Sequence, residues 1–272
     1  MIRPMTLGDL DAGLRLCRAS RWNQVAEDWR CFLDSPAGSG WAAEIDGVVV
    51  GTSAAIRYRP GFAWLSMMLV DPAHRRRGIG ARLLAAALEA LADEACVRLD
   101  ATPAGEPLYR RCGFVAEYPL TRATAISAAQ PAPQGVRPIA PADLEGVLAR
   151  DREVFGSDRG AILRSFYERA PELAAIAADG SYCFGRPGHL YSQIGPVVAE
   201  SAAAAQRLVA HCLPRHSGAV AIDVPQHSPE WIAWLERAGF VMERPFLRMR
   251  RGGNATPGEP ARQFAIAGPE FG

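Results

Sequence analysis

The feature that most constrains this chain is an internal repeat. Arg3-Pro4-Met5-Thr6-Leu7-Gly8-Asp9-Leu10 recurs as Arg137-Pro138-Ile139-Ala140-Pro141-Ala142-Asp143-Leu144. A second echo follows in the same order, Leu108-Tyr109-Arg110-Arg111-Cys112-Gly113-Phe114 returning as Trp234-Leu235-Glu236-Arg237-Ala238-Gly239-Phe240. Two echoes in one order favour duplication over chance. The length of 272 residues agrees, being about twice what a single α/β core holds comfortably. The expectation is two domains of one design, residues 1–126 and 136–251. Between them, 127–135 has the Ser, Gln, Pro and Gly content of a linker. The Gly- and Pro-containing tail, 252–272, reads as an irregular segment draped over a domain.

Within the first half, Leu10, Leu14 and Leu16 recur at helical spacing, and Trp29, Phe32 and Leu33 suggest a second helix. Asp46-Gly47 between two apolar runs is a two-residue hairpin signal. Residues 62–70 form an apolar run typical of a buried strand, broken by Asp71-Pro72. An Ala- and Leu-rich helix over 79–91, a strand at 97–100 and a short helix around Leu108 follow. Strands and helices in this order predict an α/β (α+β) fold, each domain a mixed central β-sheet flanked by helices.

Composition narrows the function. All 30 cations are Arg against 29 acids, for a net charge of +1, and the chain holds 48 Ala and no Lys. That is a GC-rich coding bias rather than a basic surface, so no nucleic-acid partner is expected. The six Cys are scattered, without CxxC or His/Cys clustering, which argues against a disulfide framework and against a metal site. No run approaches about 20 apolar residues, and the first residues lack a signal-peptide pattern. A cytoplasmic protein that does not enter the membrane is expected.

The most informative segment lies between the 62–70 strand and the following helix. Asp71-Pro72-Ala73-His74-Arg75-Arg76-Arg77-Gly78-Ile79-Gly80-Ala81 is a glycine-containing turn at a helix start. Unpaired amides and the positive end of the helix dipole make such a turn a phosphate pocket. Gly78 and Gly80 would remove Cβ atoms in the way of a pyrophosphate, and the three Arg add charge. It is neither a Walker loop nor a dinucleotide fingerprint. Taken alone, the turn has a lesser alternative, a solvated basic helix start with glycine as a cap.

Arg75-x-x-Gly78-x-Gly80 after Leu69-Val70-Asp71-Pro72, with Pro107-Leu108-Tyr109-x-x-x-Gly113-Phe114 downstream, resembles the paired motifs of the GNAT superfamily of N-acetyltransferases. The resemblance spans 69–114. It implies acetyl-CoA as cosubstrate, Met68, Leu69 and Val70 splaying from the neighbouring strand to meet the pantetheine arm. It further implies the amides of Arg75, Arg76, Arg77, Gly78, Ile79, Gly80 and Ala81 holding the pyrophosphate, and Tyr109 near the thioester sulfur. A neutral phenol can protonate a departing thiolate; the bland reading of Tyr109 is a packed aromatic. The base is open. The strand offers no Glu, Glu44 lies in an ordinary hairpin, His74 in an exposed turn, and water relayed through Ser66 is as good a candidate.

The second half lacks this chemistry. Its strand leads into Ala199-Glu200-Ser201 with no Gly-x-Gly and no Arg cluster, Glu200 would repel phosphate, and Leu235 stands at the position of Tyr109. One acetyl-CoA per chain is expected, with the second lobe degenerate. Trp22, Asn23 and Gln24 lie where GNAT folds line the acceptor site, although an indole packed under a loop reads as well. Asp158 and Arg159 lie in the corresponding loop of the second copy, where helix capping by Ser157 or Asp158 is the alternative. The resemblance points to acetyl transfer to an amine of a small molecule. A non-catalytic acyl-CoA sensor and a protein N-acetyltransferase are the alternatives, and the oligomeric state is open.

Overall fold

The computed structural model describes residues 1–126, 133–213, 218–253 and 257–272; residues 127–132 of the expected linker lie outside the described residues. The first half runs β1 (Ile2–Pro4), α1 (Leu10–Ala19), α2 (Ala26–Leu33), β2 (Gly38–Ile45), β3 (Val48–Tyr58), β4 (Phe62–Val70), α3 (Ile79–Ala90), β5 (Cys96–Ala101), α4 (Glu106–Arg111) and β6 (Val115–Ile126). The second half repeats that order as β7 (Val136–Pro138), α5 (Leu144–Phe155), α6 (Gly160–Arg169), β8 (Ala175–Ala177), β9 (Tyr182–Arg186), β10 (Ser192–Val198), α7 (Ala202–Cys212), β11 (Ala219–Pro225), α8 (Pro229–Arg237) and β12 (Val241–Gly252). A short β13 (Gln263–Ala265) follows. The fold is mixed α/β, as the sequence predicts.

Both echoes have a structural cause. Arg3 forks onto Asp9 at 2.8 and 2.9 Å, and Asp9 also accepts from the Thr6 amide at 2.9 Å. Arg137 does the same to Asp143 at 2.6 and 2.8 Å, with the Ala140 amide at 2.8 Å. Each pair ties a first strand to the turn that starts the first helix, by charge-assisted bidentate bonds. In the second echo, Gly113 and Gly239 take φ of 86° and 92°. The Phe114 amide returns to the Tyr109 carbonyl at 3.1 Å and the Phe240 amide to that of Leu235 at 2.9 Å. Only glycine makes that left-handed helix exit at no cost. The hairpin signal also holds, Asp46 and Gly47 having φ of 50° and 77°.

The halves do not close separately. Among the described residues there is one 13-stranded sheet, ordered β1-β2-β3-β4-β5-β12-β6-β11-β10-β9-β8-β7, with β13 paired to β10. The last strand of each half therefore crosses into the other: β12 pairs with β5, β6 pairs with β11, and the two exchanged strands pair with each other. A boundary at 127–135 follows the chain but does not divide the sheet. Two buried ion pairs mark the exchange. Arg248 of β12 sits opposite Asp100 of β5, its Nε and Nη2 each donating to the carboxylate at 2.8 Å. Arg122 of β6 sits opposite Asp223 of β11 at 2.8 and 2.7 Å.

The tail differs from the expected drape. Residues 263–272 turn inward, most of their side chains being apolar: Phe271 is wholly buried and stacks on Phe32 at 5.4 Å between ring centres. Tyr58 donates to the Phe271 carbonyl at 2.8 Å and Trp64 to that of Pro269 at 3.0 Å. One hydrophobic cluster accordingly joins Trp29, Trp64, Phe155, Phe166 and Phe271 from both halves and the tail.

Candidate active site

The site begins with a defect in the sheet. Met67 of β4 has φ of 52°, the pairing with β3 slips between Thr52 and Ala54, and the Thr52 hydroxyl donates to the Met67 carbonyl at 2.9 Å. Such a bulge bends the strand. β4 pairs with β5 only at Ala63 with Val97 and Trp64 with Arg98, after which the strands part. The gap opens into a cavity of about 640 Å³, within the usual range for a small-molecule site. Met68, Leu69 and Val70, the residues for which the resemblance implies a splay, line it.

At one end of the gap lies the glycine turn. Asp71 accepts from the Ala73 amide at 3.0 Å and pairs with Arg15 at 2.9 Å, and these contacts hold its carboxyl below the usual carboxylate range. No backbone amide across 75–81 donates a hydrogen bond among the described residues, so these N–H groups are free for an anion. The two glycines serve different ends. Gly78, with φ of 74°, is the αL cap of α3, and a Cβ there would meet nothing. Gly80 lines the cavity, and its Cβ would stand 3.8 Å from Val70 and Leu108. Of the basic run only Arg75 lines the cavity, its Nε donating to the Val70 carbonyl at 3.2 Å. Arg76 and Arg77 are exposed and do not line it, Ile79 is packed in the core, and Ala81 follows on α3.

Tyr109 lines the same cavity from α4. Its ring packs edge-on to Phe114 at 5.8 Å and so close to Gly105 that a Cβ there would stand 2.9 Å from it. Burial pushes its phenol above the ordinary range and keeps it protonated.

The loop between α1 and α2 splits its residues. Trp22 and Gln24 line the cavity. Asn23 does not; its side chain turns away to bond the Tyr191 carbonyl at 3.0 Å and the Leu190 amide at 2.8 Å, clamping this loop to one of the second half. Asp158 and Arg159 lie elsewhere. Asp158 accepts from the Gly160 amide at 2.8 Å and pairs with Arg152, the capping alternative. Arg159 is buried, forked onto Asp151 at 2.9 Å, with its guanidinium 3.9 Å above the Phe155 ring and a bond to the Gly272 carbonyl. It anchors the tail. Glu44 is paired with Arg3 at 2.7 Å and is no part of the cavity wall, whereas Ser66 is.

The remaining wall comes from segments that no local motif marks: Arg122 of β6, Glu243 to Phe246 of β12, and Pro269 and Glu270 of the tail. Asp100 also faces the cavity, and burial pushes its carboxyl up. Glu270 is buried and paired with Arg186, which also holds Asp28 at 2.9 Å. The duplicated design could have flagged the exchanged strands; nothing in the sequence near Glu270 points to it.

The equivalent gap in the second half is filled. β10 pairs with β11 only across Ser192 to Ile194, and beyond that β13 inserts, pairing with β10 while the Ile266 amide bonds the Asp223 carbonyl at 3.0 Å. At the start of α7 the Ser201 hydroxyl takes the Ala204 amide at 3.2 Å, the Glu200 amide bonds Ser181, and the Glu200 carboxylate sits there with Arg150 and Arg262. Among the described residues no cluster could hold a metal ion, and no helix is long and apolar enough to cross a membrane.

The chain is similar to known proteins. Residues 13–114 match the model of the acetyltransferase (GNAT) family and residues 147–265 that of an acetyltransferase (GNAT) domain. A holothin acyltransferase of Pseudoalteromonas sp. (strain SANK 73390) is 27% identical over 93% of this chain and 88% of its own. A Pyrococcus horikoshii protein described as an acetyltransferase shares the fold with a TM-score of 0.85 at 22% identity, covering 100% of this chain and 95% of its own. A tandem GNAT protein from the clavulanic acid biosynthesis pathway does so at 0.65 and 16%, covering 94% and 99%.

Proposed function

Since the chain belongs to the GNAT acyltransferases as a tandem member, we propose that it transfers an acetyl group from acetyl-CoA to an amine of a small molecule, with Tyr109 as general acid. The observation that carries this reading is the β4/β5 gap, which runs from the free amides of 75–81 to the buried phenol of Tyr109 in one cavity. The turn amides and Arg75 would hold the pyrophosphate, and the unpaired edge at Met68, Leu69 and Val70 would receive the pantetheine amides. Acetyl-CoA supplies the thioester carbonyl and a thiolate leaving group. As the neutral amine bonds to the acetyl carbon and the C–S bond breaks, Tyr109, held protonated by burial, donates a proton to the sulfur, while the proton shed by nitrogen passes to water, from which the phenol is restored. The filled gap and Glu200 in the second half favour one acetyl-CoA per chain. A cavity walled by both halves and the tail favours a small acceptor over a protein chain.

Tyr109→Phe tests the reading, since it keeps the ring and removes only the hydroxyl. Turnover in a thiol-release assay over an amine library should fall roughly 10²–10⁴-fold with acetyl-CoA affinity unchanged. An unchanged rate would remove Tyr109 from the mechanism. The pH profile adds a check: with the phenol raised above its ordinary pKa of about 10, the wild-type rate should show no fall from Tyr109 ionisation up to that pH.

A further inference from the structure

The acceptor end of the cavity holds polar atoms whose hydrogen bonding is unmet. Gln24 is 5% exposed and its Oε1 has no partner; Ser66 is 9% exposed and its hydroxyl has none. Glu270 is 3% exposed, and only its Oε1 is engaged, by Arg186; its Oε2 has no hydrogen-bond partner among the described residues. Of the charged groups beside them, Arg122 is held by Asp223 and the Tyr191 hydroxyl and Asp100 by Arg248, while the half-buried Arg244, opposite Arg122 in the β6/β12 ladder, has no partner among the described residues. Arg186 is itself divided between Glu270 and Asp28, and Asp28 also takes Arg169. A carboxylate oxygen and an amide oxygen can only accept, so Glu270 Oε2 and Gln24 Oε1 each call for a donor. Buried acceptors left unmet are costly, and a ligand that satisfies them gains the difference.

We propose that Glu270, carried in by the tail, determines acceptor specificity by receiving a primary ammonium, with Gln24 Oε1 as second acceptor, against the apolar walls of Trp22 and Phe246. The inference rests on the transfer reading above and names the charge state in which the amine is recognised. An ammonium brings three N–H donors and the charge that a half-engaged carboxylate can pair, whereas a neutral alcohol of the same shape brings one donor and no charge. Tail and loop are both fixed in place, the tail by Trp64, Tyr58 and Arg159, the loop by Asn23.

Titration calorimetry on the full chain saturated with CoA, using primary alkyl- and arylalkylamines beside the matching primary alcohols, tests this. The amines should bind the wild type at least tenfold tighter than the alcohols. Glu270→Gln should weaken the amines about 10–100-fold, the range of a charge-assisted bond, while leaving alcohols and CoA unchanged. A merely structural loss would weaken both series alike. Gln24→Met, which breaks no ion pair, should weaken the amines by a smaller factor, and it carries the test if melting shows that Glu270→Gln is unfolded. Undiminished preference for amines in the folded variants, or no amine binding by wild type, would overturn the proposal. Absence of acetyl transfer to amines that do bind would instead count against the transfer reading and leave the ammonium site standing.

Discussion

Gly78 and Gly80 are two residues apart and depend on different properties of glycine, so their substitutions should separate. Gly78→Ala meets no neighbour but must hold φ of 74°, a strain of roughly 1–2 kcal/mol in stability with modest effect on ligand. Gly80→Ala meets only ordinary contacts and should fold normally. Gly80→Asp should also fold, yet it places a carboxylate beside the free amides of 75–81, where the phosphates of acetyl-CoA would lie. Like charge and lost donors together should weaken acetyl-CoA binding at least about 100-fold, close to 3 kcal/mol. Calorimetry giving equal affinity for wild type and Gly80→Asp would move the pyrophosphate away from this turn. The turn was legible in the sequence because its spacing is local. The difference between its glycines was not, since one depends on a dihedral angle and the other on Val70 and Leu108.

At the scale of elements, the exchanged strands were the least legible. β6 and β12 carry Pro119 and Pro245, which cannot donate to a ladder, and the buried cations Arg122 and Arg248. Both features argue against a central strand. They are tolerated because Pro119 lies outside the ladder of β6 with β11, which takes in Leu120 to Ile126, and Pro245 outside that of β12 with β5, which takes in Leu247 to Gly252, and because each Arg finds an Asp on the strand it joins. Those partners are more than 100 residues away in sequence, beyond the reach of any periodicity. The same distance hid Glu270 and the true role of Arg159. A buried pair is costly to break from one side only. Arg248→Met should therefore cost about 3–5 kcal/mol by denaturant unfolding, leaving Asp100 buried and alone, and adding Asp100→Leu should recover most of it. A single variant within 1 kcal/mol of wild type would mean the pair does not fix the register.

For the whole molecule, the exchange makes each half depend on the other for its charges as well as its edges. A fragment of residues 1–135 keeps β1 to β6 but loses β12 from beside β5 and β11 from beside β6. Asp100 then lacks Arg248, and Arg122 lacks Asp223, two buried charges without partners against a typical total stability of about 5–15 kcal/mol. The Phe271 ring is also withdrawn from Phe32. A folded monomer should not survive these losses. The repeat, however, offers one rescue. Arg122 occupies in β6 the place that Arg248 occupies in β12, and Asp100 occupies in β5 that of Asp223 in β11. Two copies of the fragment can therefore exchange their β6 strands, each Arg122 meeting the Asp100 of the other copy, as in domain swapping. Any folded form of 1–135 should accordingly be a dimer, with a melting temperature that rises with protein concentration. Mixing it with residues 136–272 should convert it to the one-to-one complex, which alone regains the wall supplied by β12 and the tail. Sedimentation of the fragment as a folded monomer, with a melting temperature independent of concentration, would show that the halves close without exchange and that the buried Arg–Asp pairs are dispensable to the fold.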